Sequence, residues 1–596
     1  MSRCLEKSKS FSKFVLACHL FLLVGVIKCA PPENPIKCSS KGNGNCTITN
    51  SLGAFPDGAI CKVSKVVYPK TEEEVILAVA MASMKKYKVK AATRYSHSEP
   101  KLVCPDESQN GNLLVSTLHL NRVLSINKSA LTMTVESGVL LRDFINEAAK
   151  VGLALPSCPY WWGLTIGGMI STGAHGSTMW GGSYVHDYVI GLRIVTPASP
   201  GEGYAKLRVL ENNHPDIKAA KLSLGVLGII SQVTIKLQPL FKRSITIVEK
   251  SDLNLATRAT TFGKEHEFGD MTWYPYQRKV LYRLDDRVPS NASGNGLNDF
   301  IGFQSVLRPA IELKRASEDI QEATGDAYGK CTSARVFESA LRISGFGFTN
   351  DGNLFTGYPI VGYQNRLQAS GSCLDSSLLG DLITACVWDP RIKGTFYQVT
   401  SLSLPLSKVK KFIEDVQKLR DLVPQAFCSL ELGNGILMRY KKCSDAYLST
   451  QEDSVAFDLT YYRSRSASTP RLYEDVLEEV EQMAVFKYGG IPHWGKNRNV
   501  GFIGAIDKFK QHAIEFLKVK ESYDPSGVFS SKWTNQILGL DKSGVTIVKN
   551  GCALEGLCIC SDDIHCAPGK GYVCRPGRIY TNARVCTDIS KELIHI

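Results

Sequence analysis

Residues 166–177 read IGGMISTGAHGS, and this stretch determines how the rest of the chain is interpreted. It contains four glycines within ten residues, together with the hydroxyl side chains of Ser171 and Thr172. Glycines let backbone N–H groups approach phosphate oxygens closely, and small hydroxyl side chains add donors without bulk. The stretch therefore predicts a loop that holds a pyrophosphate. It matches neither the G-x-G-x-x-G nor the GK[ST] pattern, which argues against a nicotinamide-binding Rossmann fold and a nucleotide hydrolase. Taken alone, it would also suit a glycine-rich packing turn.

The segment around this loop, residues 62–240, alternates strand patterns with helix patterns, which is typical of a layered domain of mixed α and β structure. Near its start, Thr71 and Glu74 form a capping box that predicts the beginning of a helix. A buried strand is predicted over 89–92, and the turn after it contains His97. A side chain at the end of a strand is well placed to meet a ligand, so His97 is a candidate contact.

The bulk properties of the chain indicate a globular protein with at least two cores. A length of 596 residues is too great for one compact core, and a hydrophobic content of 44% argues against disorder. The net charge of +13 is spread over scattered lysines and arginines, with no basic run interleaved with aromatic residues. Nucleic-acid binding is therefore not expected, whereas the basic surface would allow weak contact with acidic polysaccharide.

The first thirty residues have the layout of a signal peptide. Arg3 and three lysines precede an uncharged, mainly apolar run over 14–27, and small or polar residues follow. This run is too short to span a bilayer comfortably, and no second apolar stretch approaches eighteen uncharged residues, so no stable membrane insertion is expected after cleavage. We expect delivery to the extracellular space or cell wall, with the vacuole as the alternative. Three Asn-x-Ser/Thr sites fit secretion and begin at Asn45, Asn127 and Asn291.

Cysteine usage indicates an oxidising compartment. Of the nineteen cysteines, three fall within the first thirty residues, which leaves an even sixteen. Six of these lie between Cys552 and Cys586, in a segment with few large apolar side chains. A segment that small needs cross-links, so three disulfides are expected there, with their pairing open. A zinc site is the alternative, although paired C-x-x-C spacing is absent.

Three segments taken together resemble one flavoprotein family. The stretch 166–177, the His97 turn upstream and IPHWGKN at 491–497 occur in the order typical of the L-gulonolactone oxidase group of the vanillyl-alcohol-oxidase superfamily. The likeness covers roughly residues 55–540 and is closest to the plant members. It implies an α+β fold with a PCMH-type FAD-binding domain over 55–242 and a substrate or cap domain over 243–540, whose C-terminal part returns to the flavin. Flanking these domains are the signal peptide (1–30), a cysteine-bearing leader (31–54) and the disulfide-rich tail (541–596).

The same resemblance implies FAD as the cofactor. In this family a histidine in a Gly-His-Ser turn can bond covalently to the 8α-methyl carbon of the flavin, and His97-Ser98 occupies that place. The sequence departs from the family at residues 94–96, where Arg-Tyr-Ser replaces the usual glycines and makes the turn bulkier. The implied cofactor contacts are His97, Ser98, Gly167, Gly168, Ser171, Thr172, Gly173, His175, Gly176 and Trp494.

The catalytic residues implied by the resemblance are His493, Lys496 and Arg439. Hydride transfer to a flavin leaves negative charge on the cofactor, which a fixed cation such as Lys496 would stabilise. His493 would polarise or deprotonate the substrate hydroxyl, because histidine can hold a proton poised near neutral pH. The family's Glu-x-Arg strand corresponds to residues 437–439, Leu-Met-Arg, so the arginine is present and the carboxylate is lost. Glu431 is the nearby candidate to replace it.

The expected reaction is the oxidation of an aldono-1,4-lactone, such as L-gulono-1,4-lactone, at C2. The product would enolise to ascorbate, and dioxygen would reoxidise the flavin to give hydrogen peroxide, with no metal in the site. Two alternatives remain open. One is a secreted carbohydrate or alkaloid oxidase of the berberine-bridge type. The other is a non-catalytic secreted binding protein that keeps the fold, an option left open by the altered turn at 94–96 and by Leu437.

Overall fold

The computed structural model describes residues 36–39, 42, 44–48, 61–92, 100–106, 108–304, 306–372, 384–385, 397–462 and 469–590. The predicted signal peptide and the turn that contains His97 and Ser98 lie outside these residues. Within the described ranges, no helix is both long enough and apolar enough to cross a membrane.

The first small sheet combines antiparallel and parallel pairing. Its five strands lie in the spatial order Ile36–Cys38, Gly44–Ile48, Cys61–Val67, Asn112–Ser116 and Lys88–Ala92. The first three strands pair antiparallel, whereas Asn112–Ser116 pairs parallel with both of its neighbours. A parallel pair needs a crossover connection, and the helix Glu72–Met84 lies in it.

The helix Glu72–Met84 begins where the capping pattern predicts. Thr71 Oγ1 accepts the N–H of Glu74 at 3.3 Å, while the Glu74 carboxylate accepts the N–H of Lys70 instead of that of Thr71. Val75 and Val79 are fully buried on the face that packs against the sheet. The capping prediction is thus confirmed, with the carboxylate shifted by one residue.

The second small sheet is antiparallel throughout. Its strands follow the order Ala205–Glu211, Val189–Pro197, Ile229–Lys236, Thr132–Glu136 and Val123–Asn127. The helix Leu141–Lys150 buries Phe144 and Ile145 in the core of this sheet. In sequence, the stretch 166–177 lies between two strands of this second sheet, Thr132–Glu136 and Val189–Pro197.

The large sheet belongs to the second half of the chain and is also antiparallel. Its eight strands follow the order Ile360–Tyr363, Lys242–Ser251, Lys279–Val288, Asp270–Tyr274, Ile436–Lys441, Ser454–Tyr462, Tyr397–Pro405 and Ile491–Pro492. Four two-stranded pairs complete the described strands: Leu153–Ala154 with Gln238–Pro239, Leu297–Asn298 with Phe348–Thr349, Val306–Leu307 with Thr384–Ala385, and Tyr572–Pro576 with Arg584–Asp588.

The helices of the second half cover the large sheet or return to the first half. The remaining described α-helices are Pro100–Val103, Ile166–Thr172, Ile217–Ala220, Leu255–Arg258, Phe262–Glu265, Arg308–Ala323, Ala327–Ile343, Gln364–Leu367, Leu406–Leu422, Cys428–Leu432, Glu474–Gln482, Gln511–Tyr523 and Lys532–Ile537. A π-helical turn, Met483–Lys487, continues the helix Glu474–Gln482. Residues between Trp494 and Val545 pack into the same core as Phe144 and Ile170, so the late part of the chain contacts the first half.

Disulfides cross-link both ends of the described chain, and their presence in the tail is confirmed. The tail contains the pairs Cys552–Cys558, Cys560–Cys574 and Cys566–Cys586, while Cys38–Cys46, Cys61–Cys104 and Cys331–Cys428 lie elsewhere. Because all six tail cysteines are paired, the zinc alternative for this segment loses its ligands.

Candidate active site

A cleft that is open to solvent and lined by residues of both small sheets spans about 600 Å³. We call it the glycine cleft. Its wall is made of small, apolar and hydroxyl side chains: Ala91, Ala92, Leu102, Val103, Thr117, Ser137, Gly167, Gly168, Ser171, Thr172, Leu224, Gly225, Gly228 and Ile230. Ala92 and Leu102 lie on either side of residues 93–99, which are outside the described chain, so the described residues flanking that segment line the cleft.

The predicted pyrophosphate loop begins as a short helix, Ile166–Thr172, and not as a loop. Thr165 precedes it in an extended conformation, and Gly173 ends it with a left-handed φ of +70°. A Cβ on Gly167 would lie 2.8 Å from the Cβ of Ser137, and the N–H of Gly167 donates to the Ser137 carbonyl at 2.8 Å. The glycine is therefore required for close packing of the helix on the second small sheet.

Gly173 and Gly176 are needed for backbone conformation and close packing, and they do not line the glycine cleft. Gly173 caps the helix, and a Cβ on Gly176 would lie 2.4 Å from Ser157 Oγ and 2.8 Å from the Cys158 carbonyl. Neither residue lines the cleft, in contrast to Gly167, Gly168 and Ser171. The sequence pattern thus merged two kinds of glycine, those at the cleft wall and those needed for packing.

Ser137 provides a test of whether the glycine cleft fits a pyrophosphate. Its hydroxyl is buried, lines the cleft beside Gly167, and has no hydrogen-bond partner within the described part of the chain. A buried hydroxyl without a partner is unfavourable unless a ligand supplies one. An uncharged wall of glycines with a free donor suits the diphosphate of a dinucleotide. Ser137, which directly follows the strand Thr132–Glu136, was not among the residues predicted from the sequence.

The segment Ile491 to Asn497, which we call the His-Trp segment, is fastened to the edge of the large sheet. The N–H of His493 donates to the Ser401 carbonyl at 3.0 Å. Asn497, at a left-handed φ of +81°, accepts the Ser401 N–H at 2.8 Å through its side-chain oxygen. The same side chain donates to the carbonyls of Ser401 and His493. Asn497 therefore folds the segment back on itself and fixes the position of Lys496.

Arg439, Asp458 and Lys496 form a buried charge cluster on one face of the large sheet. The Asp458 carboxylate accepts from Arg439 Nη2 at 2.5 Å and from Lys496 Nζ at 3.1 Å. Arg439 Nη1 also donates to the His175 carbonyl at 3.0 Å, and its Nε has no partner among the residues that the structure describes. The cluster thus brings together two predicted catalytic residues, Arg439 and Lys496.

The charges of the cluster hold one another in place. Burial alone would raise the pKa of Asp458, but Arg439 and Lys496 hold that pKa far below its ordinary value. Burial lowers the pKa of Lys496, and Arg439 lowers it further, whereas Asp458 raises it. Two cations share one carboxylate, so the cluster carries a net positive charge at neutral pH.

Asp458 is the carboxylate that sequence analysis missed. It lies directly opposite Leu437 on the neighbouring strand, so it occupies the same face of the sheet as Arg439. The proposal that Glu431 fills this role is wrong: its carboxylate accepts the N–H and the side-chain amide of Gln277 instead. The signal was a single acidic residue within the apolar strand sequence SVAFDLTYY.

Hydrogen bonds define the protonation of His493. Its Nδ1 accepts the N–H of Gly495 at 3.1 Å, so a neutral ring carries its hydrogen on Nε2. Burial, followed by the nearby cations Lys496 and Lys441, lowers the pKa of His493 well below its ordinary value. His493 is therefore neutral at physiological pH and presents an N–H donor.

His175 has the complementary arrangement. Its Nδ1 lies 2.9 Å from the Gly176 carbonyl, which can only accept, so Nδ1 carries the hydrogen and Nε2 keeps a lone pair. That Nε2 is buried and has no partner in the described chain. The ring lies 5.6 Å from the ring of His493 and does not line the glycine cleft. His175 therefore lies beside His493 and not at the wall of the glycine cleft.

A second cavity of about 250 Å³ adjoins the glycine cleft, and we call it the His493 cavity. Thr172 lines both cavities, which makes it the link between them. Lys441 also lines the His493 cavity and donates to Ser403 Oγ. Trp494 borders this cavity but not the glycine cleft; its Nε1 donates to the Leu448 carbonyl at 2.8 Å, and its ring packs on Phe502.

Comparison with protein families assigns three regions of the chain. Residues 63–199 match the family described as "FAD binding domain", and residues 395–537 match the one described as "D-arabinono-1,4-lactone oxidase". Residues 549–588 match the "L-gulonolactone oxidase 2-like, C-terminal domain". The glycine cleft falls largely within the first match, and the charge cluster falls within the second.

Individual relatives agree with these matches. The chain is 55% identical to L-gulonolactone oxidase 2 of Arabidopsis thaliana over 97% of its own length and 98% of that protein. It is also 55% identical to L-gulonolactone oxidase 5 of the same plant, over 98% of each chain. Among solved structures, a solvent-stable cholesterol oxidase aligns with a TM-score of 0.61 at 16% identity, covering 86% of this chain and 100% of that one. This last match supports the predicted two-domain α+β fold.

The comparisons confirm FAD as the cofactor, and the glycine cleft, with the free hydroxyl of Ser137, is the place that fits it. Covalent attachment through His97 stays a prediction, because that residue lies outside the described chain. The 55% identity extends over nearly the whole chain, so the family is not that of the berberine-bridge-type alternative. The chain belongs to the plant L-gulonolactone oxidase family and is an FAD-dependent oxidoreductase.

Proposed function

We propose that the protein oxidises L-gulono-1,4-lactone, or a closely related aldonolactone, at C2 and yields L-ascorbate with reduction of dioxygen to hydrogen peroxide. The observation that carries this proposal is the position of Thr172, which lines both the glycine cleft and the His493 cavity. The cofactor wall therefore adjoins the cavity that His493 lines. The relatives are named L-gulonolactone oxidases, which supports the same substrate class.

FAD, when bound, supplies the hydride acceptor for the C2–H bond and the route of the electrons to dioxygen. Lys496 contributes a fixed positive charge, which stabilises the negative charge that hydride transfer creates in the site. It needs no reorganisation, because Asp458 holds its ammonium group at 3.1 Å and Asn497 fixes its backbone. Lys496 is thus proposed to lower the barrier of the transfer itself.

Arg439 and His493 are proposed to bind the lactone oxygens. The Nε of Arg439 is buried and has no partner within the described ranges, so it can donate to a lactone oxygen once substrate enters. His493 presents Nε2–H as a donor, since its Nδ1 already accepts from Gly495. Because the neutral ring of His493 carries its hydrogen on Nε2, it is suited to polarise the C2 oxygen and not to deprotonate the C2 hydroxyl.

The compartment is proposed to be the secretory pathway and the extracellular space. Six disulfides in the described chain fit an oxidising environment, and dioxygen is available there as the electron acceptor.

Oxygen uptake with product identification tests the proposal. The purified holoenzyme should consume dioxygen with L-gulono-1,4-lactone and form ascorbate and peroxide in equal amounts. The C2 epimer of L-gulono-1,4-lactone is the matched control and should give much slower oxygen uptake. A protein that contains FAD but consumes no oxygen with any aldonolactone would refute the substrate assignment.

A further inference from the structure

The tail is a separate cross-linked unit that lies against the second half of the chain. Its three disulfides and Leu557 form a small core of their own. No role in catalysis follows from its composition, and none of its described residues lines the glycine cleft or the His493 cavity. Its contacts with the rest of the molecule are nevertheless specific and buried.

The first contact joins the tail hairpin to the helix Glu474–Gln482. The carboxylate of Glu479, fully buried, accepts three consecutive backbone N–H groups, from Arg578, Ile579 and Tyr580, at 2.6–2.8 Å. Gln482 exchanges a further pair of hydrogen bonds with the backbone of Arg584. A carboxylate that receives three N–H donors is strongly held, so the tail and this helix form one rigid unit.

The second contact joins the tail to the residues directly after the His-Trp segment. The N–H of Val500 donates to the Gly556 carbonyl at 3.1 Å. The Cα of Gly556, at φ +67°, faces the side chain of Arg498 so closely that a Cβ would lie 2.5 Å from its Cδ and Nε. Arg498 in turn forms buried ion pairs with Glu478 and Glu481 of the helix Glu474–Gln482. Its side chain is therefore enclosed between that helix and Gly556.

Arg498 is adjacent in sequence to Asn497, which fixes the His-Trp segment on Ser401. We infer that the tail is a positioning device for His493 and Lys496, and that the contact of Gly556 with Arg498 transmits its effect. Arg498 is a positioning residue in this arrangement and does not touch the substrate. The inference rests on the proposed catalytic roles of His493 and Lys496.

Two tail glycines provide a matched pair of variants. Gly556→Ala places a methyl group against Arg498, whereas Gly551→Ala, at a similar φ of +72°, meets nothing closer than 3.8 Å. Both substitutions strain a left-handed backbone position, so both should lower the melting temperature, and Gly556→Ala should lower it further because of its clash with Arg498. Only Gly556→Ala should push Arg498 and the His-Trp segment out of place.

Three readouts distinguish positioning from loss of fold. Gly556→Ala should lower kcat at least tenfold with KM changed less than threefold and with a normal flavin-to-protein ratio. Sulfite adds to oxidised flavin, and a cation near the ring favours this addition. Gly556→Ala should therefore bind sulfite at least fivefold more weakly. Amide hydrogen exchange over 493–500 should accelerate in Gly556→Ala and not in Gly551→Ala. The last readout is independent of activity, so it stands even if the proposed function fails.

Two results would overturn the inference. One is a kcat for Gly556→Ala within twofold of that for Gly551→Ala, and the other is a fall in kcat that merely follows loss of FAD. If Gly556→Ala does not fold, Cys552→Ala/Cys558→Ala decides, because it loosens the loop that carries Gly556, with Cys38→Ala/Cys46→Ala as control. Equal turnover of these two double variants would reject the inference, and a tenfold lower value for the tail variant would support it.

Discussion

The glycine cleft and the charge cluster serve one reaction but are built in opposite ways. None of the described residues lining the glycine cleft is charged, and its specific features are close backbone packing at Gly167 and the free hydroxyl of Ser137. The charge cluster instead concentrates two cations on one carboxylate, Asp458. The difference implies that the cofactor is recognised by shape and by the hydroxyl of Ser137, whereas the chemistry depends on fixed charge. Substitutions in the cleft should therefore change flavin content, and substitutions in the cluster should change rate.

Removal of the Lys496 charge should have the largest effect on rate. Lys496→Met keeps the length of the side chain and removes the cation, so kcat should fall ~100-fold or more, as for loss of one preorganised electrostatic group. The flavin-to-protein ratio should stay normal, because Lys496 does not line the glycine cleft. Steady-state kinetics and the visible spectrum measure both quantities.

The matched control for this change is Lys518→Met, which removes an exposed lysine paired with Glu515. It should alter kcat by less than about twofold, since exposed ion pairs contribute little. A similar loss of kcat in both variants would show that Lys496 has no special role.

Loss of the Asp458 carboxylate should affect both rate and stability. Asp458→Asn leaves Arg439 and Lys496 beside each other without a counter-charge, and removal of one partner of a buried ion pair destabilises by about 3–5 kcal/mol. We expect kcat to fall about tenfold or more, together with a lower melting temperature. Asp453→Asn, which weakens the more exposed pair with Lys442, should change neither by a comparable amount.

A double variant sharpens this prediction, because Leu437 and Asp458 lie directly opposite each other on adjacent strands. Leu437→Glu combined with Asp458→Leu returns the carboxylate to the strand of Arg439. It should recover part of the kcat lost in Asp458→Leu alone. Absence of any recovery would mean that the carboxylate must occupy the position of Asp458 itself.

Crowding of the glycine cleft should lower flavin content with a smaller effect on rate per bound flavin. Gly167→Ala places a Cβ 2.8 Å from that of Ser137, so the helix Ile166–Thr172 must move. The flavin-to-protein ratio of purified protein should fall several-fold, while kcat per flavin changes less than threefold. Gly201→Ala, whose Cβ would meet nothing closer than 4.0 Å, is the control and should retain full flavin.

The pH dependence of kcat should show the smallest effect. The pKa of His493 is lowered well below the ordinary value of about 6.5, so its neutral form persists and no titration is expected there. Lys496 acts in its charged form and its pKa is also lowered, so kcat should decline on the alkaline side before the ordinary lysine value of about 10.4. Lys496→Arg should move this decline to higher pH. An acid limb near 6.5 that disappears in His493→Asn would contradict the neutral assignment.

The sequence was sufficient for those features that are contiguous along the chain. The stretch 166–177 and the segment 491–497 each keep their residues within a few positions, so the family, the cofactor and the candidates His493 and Lys496 could be predicted. The helix starting after Thr71 was also predictable, because its cap is a local interaction.

Features that depend on strand pairing could not be predicted. Asp458 lies on the strand next to that of Arg439 and pairs with Lys496 of the His-Trp segment. Nothing local in the sequence specifies the register that brings these residues together. Glu431 was chosen for its closeness in sequence, but it lies on a helix that turns its carboxylate toward Gln277. The short helix at 166–172 was missed because glycines weaken helix propensity, while close packing on Ser137 overrides it.

Anaerobic mixing of the holoenzyme with L-gulono-1,4-lactone in a stopped-flow spectrophotometer tests the central claim most directly. That claim is that the charge cluster of Arg439, Asp458 and Lys496 accelerates hydride transfer from an aldonolactone to the flavin. The account predicts rapid bleaching of the oxidised flavin in the wild-type protein and bleaching ~100-fold slower in Lys496→Met, at equal flavin content. Equal rates in the two proteins, or no bleaching in the wild type, would contradict it.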